Sequence, residues 1–366
     1  MIVKYLDLPK QFKDKSLLAI LKRQFRTCQF VMGPEVEKFE SDFAALCQTP
    51  FALGVNSCTD AIFLALKALD IGQGDEVITV PNSFVATTGA IVAAGARPVF
   101  VDVGLDYNID VELIERAITQ RTKAILPVHL TGNPADMVKI MRIAQKNDLY
   151  VVEDAAQAVM ASIDGKRVGS FGDIGCFSLH PLKNLNVCGD GGVLTTRSRK
   201  MYEKLRLLRN HGLKTRDKVE FFGYNSRLDT LQAAVAGYLI RNLPSVTRRR
   251  VRNAELYDKG LRSLSDFVIL PPRRKNVTQV FHTYVVRVKN RKGLMKYLSE
   301  HGVGTKIHYP ILIHLQKPCQ RLGYKKGDFP VCESQAWSIL SLPVHQYLTE
   351  IEIEYVINCI KGYYQG

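Results

Sequence analysis

The sequence has 366 residues, 46% hydrophobic and 23% charged, a globular composition with enough chain for a large core and a smaller second domain. Its 50 Lys and Arg against 35 Asp and Glu leave +15, which favours anionic partners such as nucleic acid, acidic membranes or phosphorylated small molecules. Eight cysteines with no CxxC pair and no zinc-like spacing exclude a zinc module and a disulfide scaffold, and no apolar run approaches the ~18 residues of a membrane span.

The opening MIVKYLDLPKQFKDKSLL lacks the apolar centre of a signal peptide, so with its reduced thiols the protein is expected to be soluble and cytoplasmic. Residues 16 to 47 read as helical with a break at Gly33-Pro34, and Val36, Phe39, Phe43 and Leu46 recur at helical spacing. FALGVNS reads as a strand. TDAIFLALKAL is a helix with Ile62, Ala65, Leu66 and Leu69 at i, i+3, i+4 and i+7. DEVITVP, RPVFVDV, KAILPVH and LYVVEDAA read as further strands, interleaved with helices at VATTGAIVAAG and PADMVKIMRIAQKN. Their apolar runs lack polar alternation, which implies a sheet covered on both faces: an α/β fold with mostly parallel strands.

ASIDGKRVG predicts a hairpin turning at Asp164-Gly165. The run Ile174 to Leu179 reads as a strand, and a glycine-rich turn follows it. LQAAVAGYLIRNL is a helix stopped near Pro244, and a basic helix is expected at about 246–264. Its cluster Arg248, Arg249, Arg250 and Arg252 reads as a solvated face, or as an electrostatic funnel for a nucleotide diphosphate. From about 280, HTYVVRV, GLMKYLSEHG and GTKIHY read as strand, helix and strand of a smaller α+β domain. The expected division is a large domain, 1–245, and a small one, 246–366.

In parallel sheets ligands gather at the carboxyl ends of strands, and three groups of residues fall there. Ser57 and Thr59 open a helix, as caps or as an anion site of free N–H groups and hydroxyls. Asp154 ends LYVVED, either as a cap or as a buried anion for a cationic ligand atom. The small Ala155 and Ala156 beside it leave room for a flat ring, and Gln157 would point to the same side. The third is FSLHPLKNLNVCGDGG, where Lys183 lies among Pro181, Leu182 and Leu185 and before Gly189, Gly191 and Gly192. A desolvated lysine has a lowered pKa and becomes an amine nucleophile for Schiff-base chemistry. One ligand unites the three, pyridoxal 5′-phosphate: its aldehyde needs a lysine, its ring nitrogen an acid, its phosphate hydroxyls and a helix N-terminus. Its ring needs a flat neighbour, and Phe84 in PNSFVAT is either that or a core residue.

With these residues in this order, the sequence resembles the DegT/DnrJ/EryC1/StrS family of sugar aminotransferases, which have the fold-type-I aminotransferase architecture. FVMGPEVEKFESDFA, NSCTDAIFLAL, VEDAAQA, GSFGDIGCFSLHPLKNLNVCGDGG, GYNSRLDTLQAA and IHYP carry the resemblance across nearly the whole chain. It implies a large mostly parallel mixed-sheet domain, pyridoxal phosphate bound covalently to Lys183, and pyridoxamine phosphate as the half-reaction form. Asp154 would meet the pyridine nitrogen, Gln157 lie near the ring hydroxyl, and Phe84 cover the ring face. Thr59 and Ser178 would hold the phosphate, with the backbone amide of Cys58, where many members have glycine. Asn225 would serve the neighbouring subunit's cofactor, because this family shares its sites across a homodimer. His180, His211, His308 and Tyr309 match positions lining or approaching the site, with His180 open to a purely structural reading; for His129 and His282 simple packing is preferred.

The activity so implied is transfer of an amino group from an amino acid, usually glutamate, to a nucleotide-linked keto-sugar, in deoxyamino-sugar, lipopolysaccharide or other surface polysaccharide biosynthesis. Two alternatives stand beside it. Some relatives are sugar dehydratases, but those resembling the known ones carry histidine in place of the lysine, and Lys183 is present. A regulatory or DNA-binding protein is permitted by the charge, yet no helix-turn-helix, zinc-finger or RNP signature is found. No nucleic acid, membrane or metal partner is expected.

Overall fold

The computed structural model describes all 366 residues. Seven strands form one mixed sheet: β1 (Phe51–Val55), β2 (Glu76–Thr79), β3 (Arg97–Phe100), β4 (Thr122–Ile125), β5 (Tyr150–Asp154), β6 (Ile174–Ser178) and β7 (Gly192–Thr196). Their spatial order is β1-β7-β6-β5-β4-β2-β3. The steps from β6 to β3 are parallel, whereas β7 runs antiparallel to both β1 and β6. β2, β7 and the last four residues of β5 are buried throughout, as strands covered on both faces must be. The sheet expected from unbroken apolar runs is the sheet observed.

The helices follow from their caps. The predicted N-terminal helical stretch is α1 (Lys15–Thr27), capped by Asp14, and α2 (Pro34–Leu46), with Pro34 in the first turn where no N–H is required. Cys28 in the left-handed region ends α1, so the break spans Cys28 to Gly33 rather than the Gly-Pro pair alone. α3 (Cys58–Ala68) is capped by Ser57, whose hydroxyl accepts the Asp60 N–H at 3.1 Å. The predicted stripe is buried, and so are Ala61, Leu64 and Ala68, because α3 packs against β5, β6 and β7 as well as α4 (Val85–Ala93). A buried Arg209–Glu40 pair ties α2 to β1: Glu40 accepts the Gly54 N–H at 2.7 Å while Arg209 donates to the Gly54 carbonyl at 2.7 Å. The hairpin turning at Asp164-Gly165 forms, both residues having positive φ.

α5 (Thr230–Leu239) runs through a short 3₁₀ turn into α6 (Leu243–Leu261). Pro244 therefore opens a helix instead of stopping one, since a proline in the first turn costs no hydrogen bond. Beyond it, β8 (Val268–Ile269), β9 (Tyr284–Val288) and β10 (Ile339–Leu342) form an antiparallel sheet, packed with α6, α7 (Arg291–Glu300) and α8 (Glu350–Gln365) around stacked Tyr257 and Tyr284. Val3 joins this core and bridges to Val303. GTKIHY is not a strand. It makes one isolated bridge, Lys306 to Ser341, and the third strand comes from Ile339–Leu342 instead. All eight cysteines are unpaired, and no helix is long and apolar enough to cross a membrane.

Candidate active site

The carboxyl ends of β1, β5 and β6 and the loop after β2 converge on one cavity of about 320 Å³. Its wall includes Cys58 and Thr59 at the start of α3, Phe84, Thr87, Asp154, Gln157, Ser178, His180, Lys183, His308 and Tyr309. Nearly every residue singled out from the sequence faces the same space. β5 and β6 run parallel in register, Asp154 beside Cys176, which sets Ser178 at the same rim. The chain then loops through Lys183 before returning as β7, and the Lys183 N–H is held by the His180 carbonyl at 2.8 Å.

That return demands glycine. A Cβ on Gly192 would sit 2.4 Å from the carbonyl carbon and oxygen of Ser57 and 2.7 Å from the Cys58 nitrogen. No backbone can yield by that much without moving β7 off the start of α3. Gly192→Ala is expected to cost about 3 kcal/mol or more, the upper range of overpacking. It should weaken cofactor retention as well. Chemical denaturation and cofactor absorbance check both, and a variant of unchanged midpoint would show that the strand has more room than the distances allow.

The electrostatics suit an amine nucleophile facing a buried acid. Burial holds the Lys183 amine below the usual lysine range, with Asp154 pulling the other way. Asp154 is 4% exposed. Burial raises its pKa, partly offset by the Thr87 hydroxyl donating to Oδ2 at 2.7 Å and the Ala156 N–H donating to Oδ1 at 3.1 Å. Such a buried carboxylate, without a cationic partner in hydrogen-bond contact, fits a protonated ring nitrogen. Beneath it, Glu153 accepts the N–H groups of Gly169, Phe171 and Gly172 at 2.7 to 2.8 Å and meets His129 Nε2 at 3.1 Å. His129 Nδ1 takes the Ala135 N–H, so this histidine is a satisfied core residue.

The rest of the wall completes a flat slot. Phe84, the N-cap residue of α4, is 54% exposed, with its ring 5.8 Å from that of Tyr309. A half-exposed phenylalanine at a cavity mouth offers a face for a planar ligand. Gln157 is oriented by the Thr131 N–H, which donates to its Oε1 at 2.7 Å, leaving Nε2 directed at the Tyr309 hydroxyl, 3.5 Å away. Hydroxyls and free amides lie where Thr59 and Ser178 meet the N-terminus of α3, an anion site by geometry. The residues present therefore fit pyridoxal phosphate: an amine, an acid, an aromatic face and an anion cradle.

Asn225 lies elsewhere. It is exposed, bridged to Asn210, and outside this chain's cavity, as is His211. Sequence reasoning missed three residues. Thr87 bonds Asp154 across 67 positions, which no local pattern could reveal. His282, read as a packing residue, lines the cavity with its buried Nδ1 unpartnered. Tyr5 stacks against His308 at 5.9 Å from the far end of the chain.

Comparison with known proteins gives the same picture. The family model described as the DegT/DnrJ/EryC1/StrS aminotransferase family matches residues 12–361. The chain is 40% identical to the pleiotropic regulatory protein of Geobacillus stearothermophilus, with 100% of this chain and 99% of that protein covered. It is 42% identical to the UDP-N-acetyl-3-dehydro-alpha-D-glucosamine 3-aminotransferase of Acidithiobacillus ferrooxidans, over 92% of this chain and 90% of that protein. Among solved structures, DesV of S. venezuelae in complex with ketimine intermediate superposes with a TM-score of 0.97 at 39% identity, covering 100% and 99% of the two chains.

Proposed function

This chain belongs to the DegT/DnrJ/EryC1/StrS aminotransferase family, and from that premise we propose that it transfers an amino group from an amino acid, glutamate first among donors, to a nucleotide-linked keto-sugar. The observation that carries this is the pairing of Lys183 and Asp154 across one cavity with an anion cradle between two strand ends. The relative named as a UDP-sugar 3-aminotransferase supports the acceptor class and makes a 3-keto sugar the first to try. The net charge of +15 suits a diphosphate. The wider role is in deoxyamino-sugar formation for a surface polysaccharide or lipopolysaccharide, in the cytoplasm.

When bound, pyridoxal phosphate supplies an aldehyde that bonds covalently to amines and a ring that accepts the electron pair left when a Cα–H bond breaks. Lys183 would hold the aldehyde when the cofactor is bound. Its Nζ, once free, would take the proton from the donor's Cα and deliver it to the carbon that bore the aldehyde, base and then acid work for which a lowered pKa is suited. In the second half it runs the same transfer in reverse on the sugar carbon. Asp154 keeps the ring nitrogen protonated, and Thr87 fixes the carboxylate's orientation. Phe84 would cover the ring face, and Gln157 would reach the ring hydroxyl. Thr59, Ser178 and the Cys58 amide would take the phosphate. His180, His308 and Tyr309 face the space left for the sugar. Lys183 stands against a dehydratase, and the complete set of groups stands against a regulator without catalysis. The proposed division into 1–245 and 246–366 falls inside α6: Val3 and residues from Ala254 to Ile360 share a core, whereas Leu312, Ile313, Phe329 and Ile339 pack into the larger one.

Single-turnover spectroscopy tests the reading. Enzyme converted to the pyridoxamine form by glutamate should recover its visible band with a nucleotide-linked keto-sugar. Recovery with simple 2-oxo acids alone would make it an amino-acid aminotransferase.

A shared site in a homodimer completes the proposal. The segment before Asn225 exposes Phe222 at 98% and Val219 at 55%, apolar surface that a second copy of the chain would cover. Asn225 then reaches the other subunit's phosphate. Asn225→Ala is expected to raise the cofactor's dissociation constant about tenfold, the loss of one hydrogen bond to a charged group. Sedimentation should give a dimer, and a fully active monomer would refute the arrangement.

A further inference from the structure

Behind the Lys183 cavity lies a second one of about 450 Å³, sharing Leu182, His282 and His308 with it as common walls. Its depth is cationic. Arg250, expected from its sequence cluster to be solvated, is 2% exposed and lines this recess beside Lys306. The Arg250 Nε donates to Gln346 Oε1 at 3.1 Å, and Nη1 donates to the carbonyls of Phe281 at 3.0 Å and His282 at 3.4 Å. Nη2 has no protein acceptor. No carboxylate faces the guanidinium: the ionisable groups around it are the phenols of Tyr5 and Tyr347 and the imidazoles of His282 and His345. The nearby Asp7 is engaged by Lys4 and Lys10. Burial lowers the Arg250 pKa to about 10, which leaves it charged at neutral pH.

Two further groups are buried without partners at this wall, Thr283 Oγ1 and His282 Nδ1. Burial takes His308 down to about 4 and keeps His282 low, so at neutral pH both are neutral hydrogen-bond groups instead of competing charges. His308 Nδ1 pairs with Ser341 Oγ at 2.9 Å, which fixes the ring, and Tyr5 stacks on the same imidazole at 5.9 Å. A buried guanidinium with a free edge, beside an unpartnered hydroxyl, is complementary to a small planar anion. A carboxylate has that shape.

We propose that this recess binds the side-chain carboxylate of a dicarboxylic amino donor while the donor's amine is at Lys183, and so selects acidic amino acids for the first half-reaction. The inference rests on the aminotransferase reading for the identity of its ligand, but the anion site itself does not. An amino acid with one carboxylate at its reacting carbon and another at its far end would extend from Lys183 past His282 and His308, residues the two cavities share, toward Arg250. A neutral isostere such as glutamine reaches the same place without the charge. The second source of such a carboxylate is an acidic acceptor sugar, and the test separates the two.

Two measurements on the purified holoenzyme decide it. Calorimetric titration with glutarate, which has no amine and cannot turn over, should show binding to the wild type that weakens about 30-fold in Arg250→Gln. Stopped-flow conversion to the pyridoxamine form should show glutamate preferred over glutamine in the wild type, with that preference collapsing to a few-fold in the variant. Because Arg250 also holds two carbonyls, Thr283→Val serves as the gentler second variant, expected to weaken glutarate and glutamate several-fold with an unchanged circular dichroism spectrum. A folded Arg250→Gln that keeps the glutamate preference overturns the proposal. So does a loss confined to the reaction with an acidic keto-sugar, which would assign the recess to the acceptor. If no amino acid reacts yet glutarate binds through Arg250, the recess stands as an anion site and the aminotransferase reading falls.

Discussion

Lys183→Ala is expected to lose the visible absorbance of the covalently bound cofactor and to lower turnover on the order of 10⁴-fold, the upper range for removing a positioned general base. The physical reason is that, in the proposed reaction, one amine in one cavity would serve three tasks. It would hold the aldehyde, take the proton from the donor's Cα and deliver it to the carbon that bore the aldehyde, on the other side of the nitrogen. Its surroundings prepare it for all three, since burial lowers its pKa so that the free base is accessible. No second lysine lines the cavity to take over. Absorbance spectra and borohydride reduction followed by mass analysis check the covalent link. A variant that still retains reducible cofactor on the protein would place the link on another residue.

Asp154→Ala is expected to reduce turnover about 10³-fold, near 4 kcal/mol of barrier, as for the loss of a buried charge-assisted pair. Without the carboxylate, nothing in the cavity holds a proton on the ring nitrogen, and the ring loses its capacity to accept electrons from the breaking Cα–H bond. Thr87→Val should cost less, because it frees the carboxylate to turn while leaving its charge. Steady-state and half-reaction rates measure both. Turnover of Asp154→Ala within tenfold of the wild type would show that protonation of the ring nitrogen is held elsewhere.

Asp154 and Ser178 were legible because they end apolar runs that read as covered strands, and Lys183 and Thr59 because they follow such strands closely: strand ends in a parallel sheet share one edge, so residues placed there or just beyond can meet. Periodicity also gave the helices at Lys15–Thr27, Pro34–Leu46 and Cys58–Ala68, whose caps at Asp14 and Ser57 are local, but it left the C-terminal helix Glu350–Gln365 unread. Pro244 opens a helix because a preceding 3₁₀ turn hands the chain on, and GTKIHY makes only the single Lys306–Ser341 bridge while Ile339–Leu342 supplies the strand beside β9.

What the sequence by itself determined is therefore the chemistry and its order along the chain: an amine, an acid, hydroxyls at helix and strand ends, and an α/β sheet to carry them. What only the tertiary structure decided is which distant groups surround that chemistry. Thr87 against Asp154, Tyr5 against His308, and Arg250 turned inward from a run of arginines that read as solvated are contacts between segments far apart in the chain. Local pattern reports which side of an element is apolar, whereas burial of a charge and the pairing of remote side chains depend on how whole elements pack, and no window of neighbouring residues contains that information.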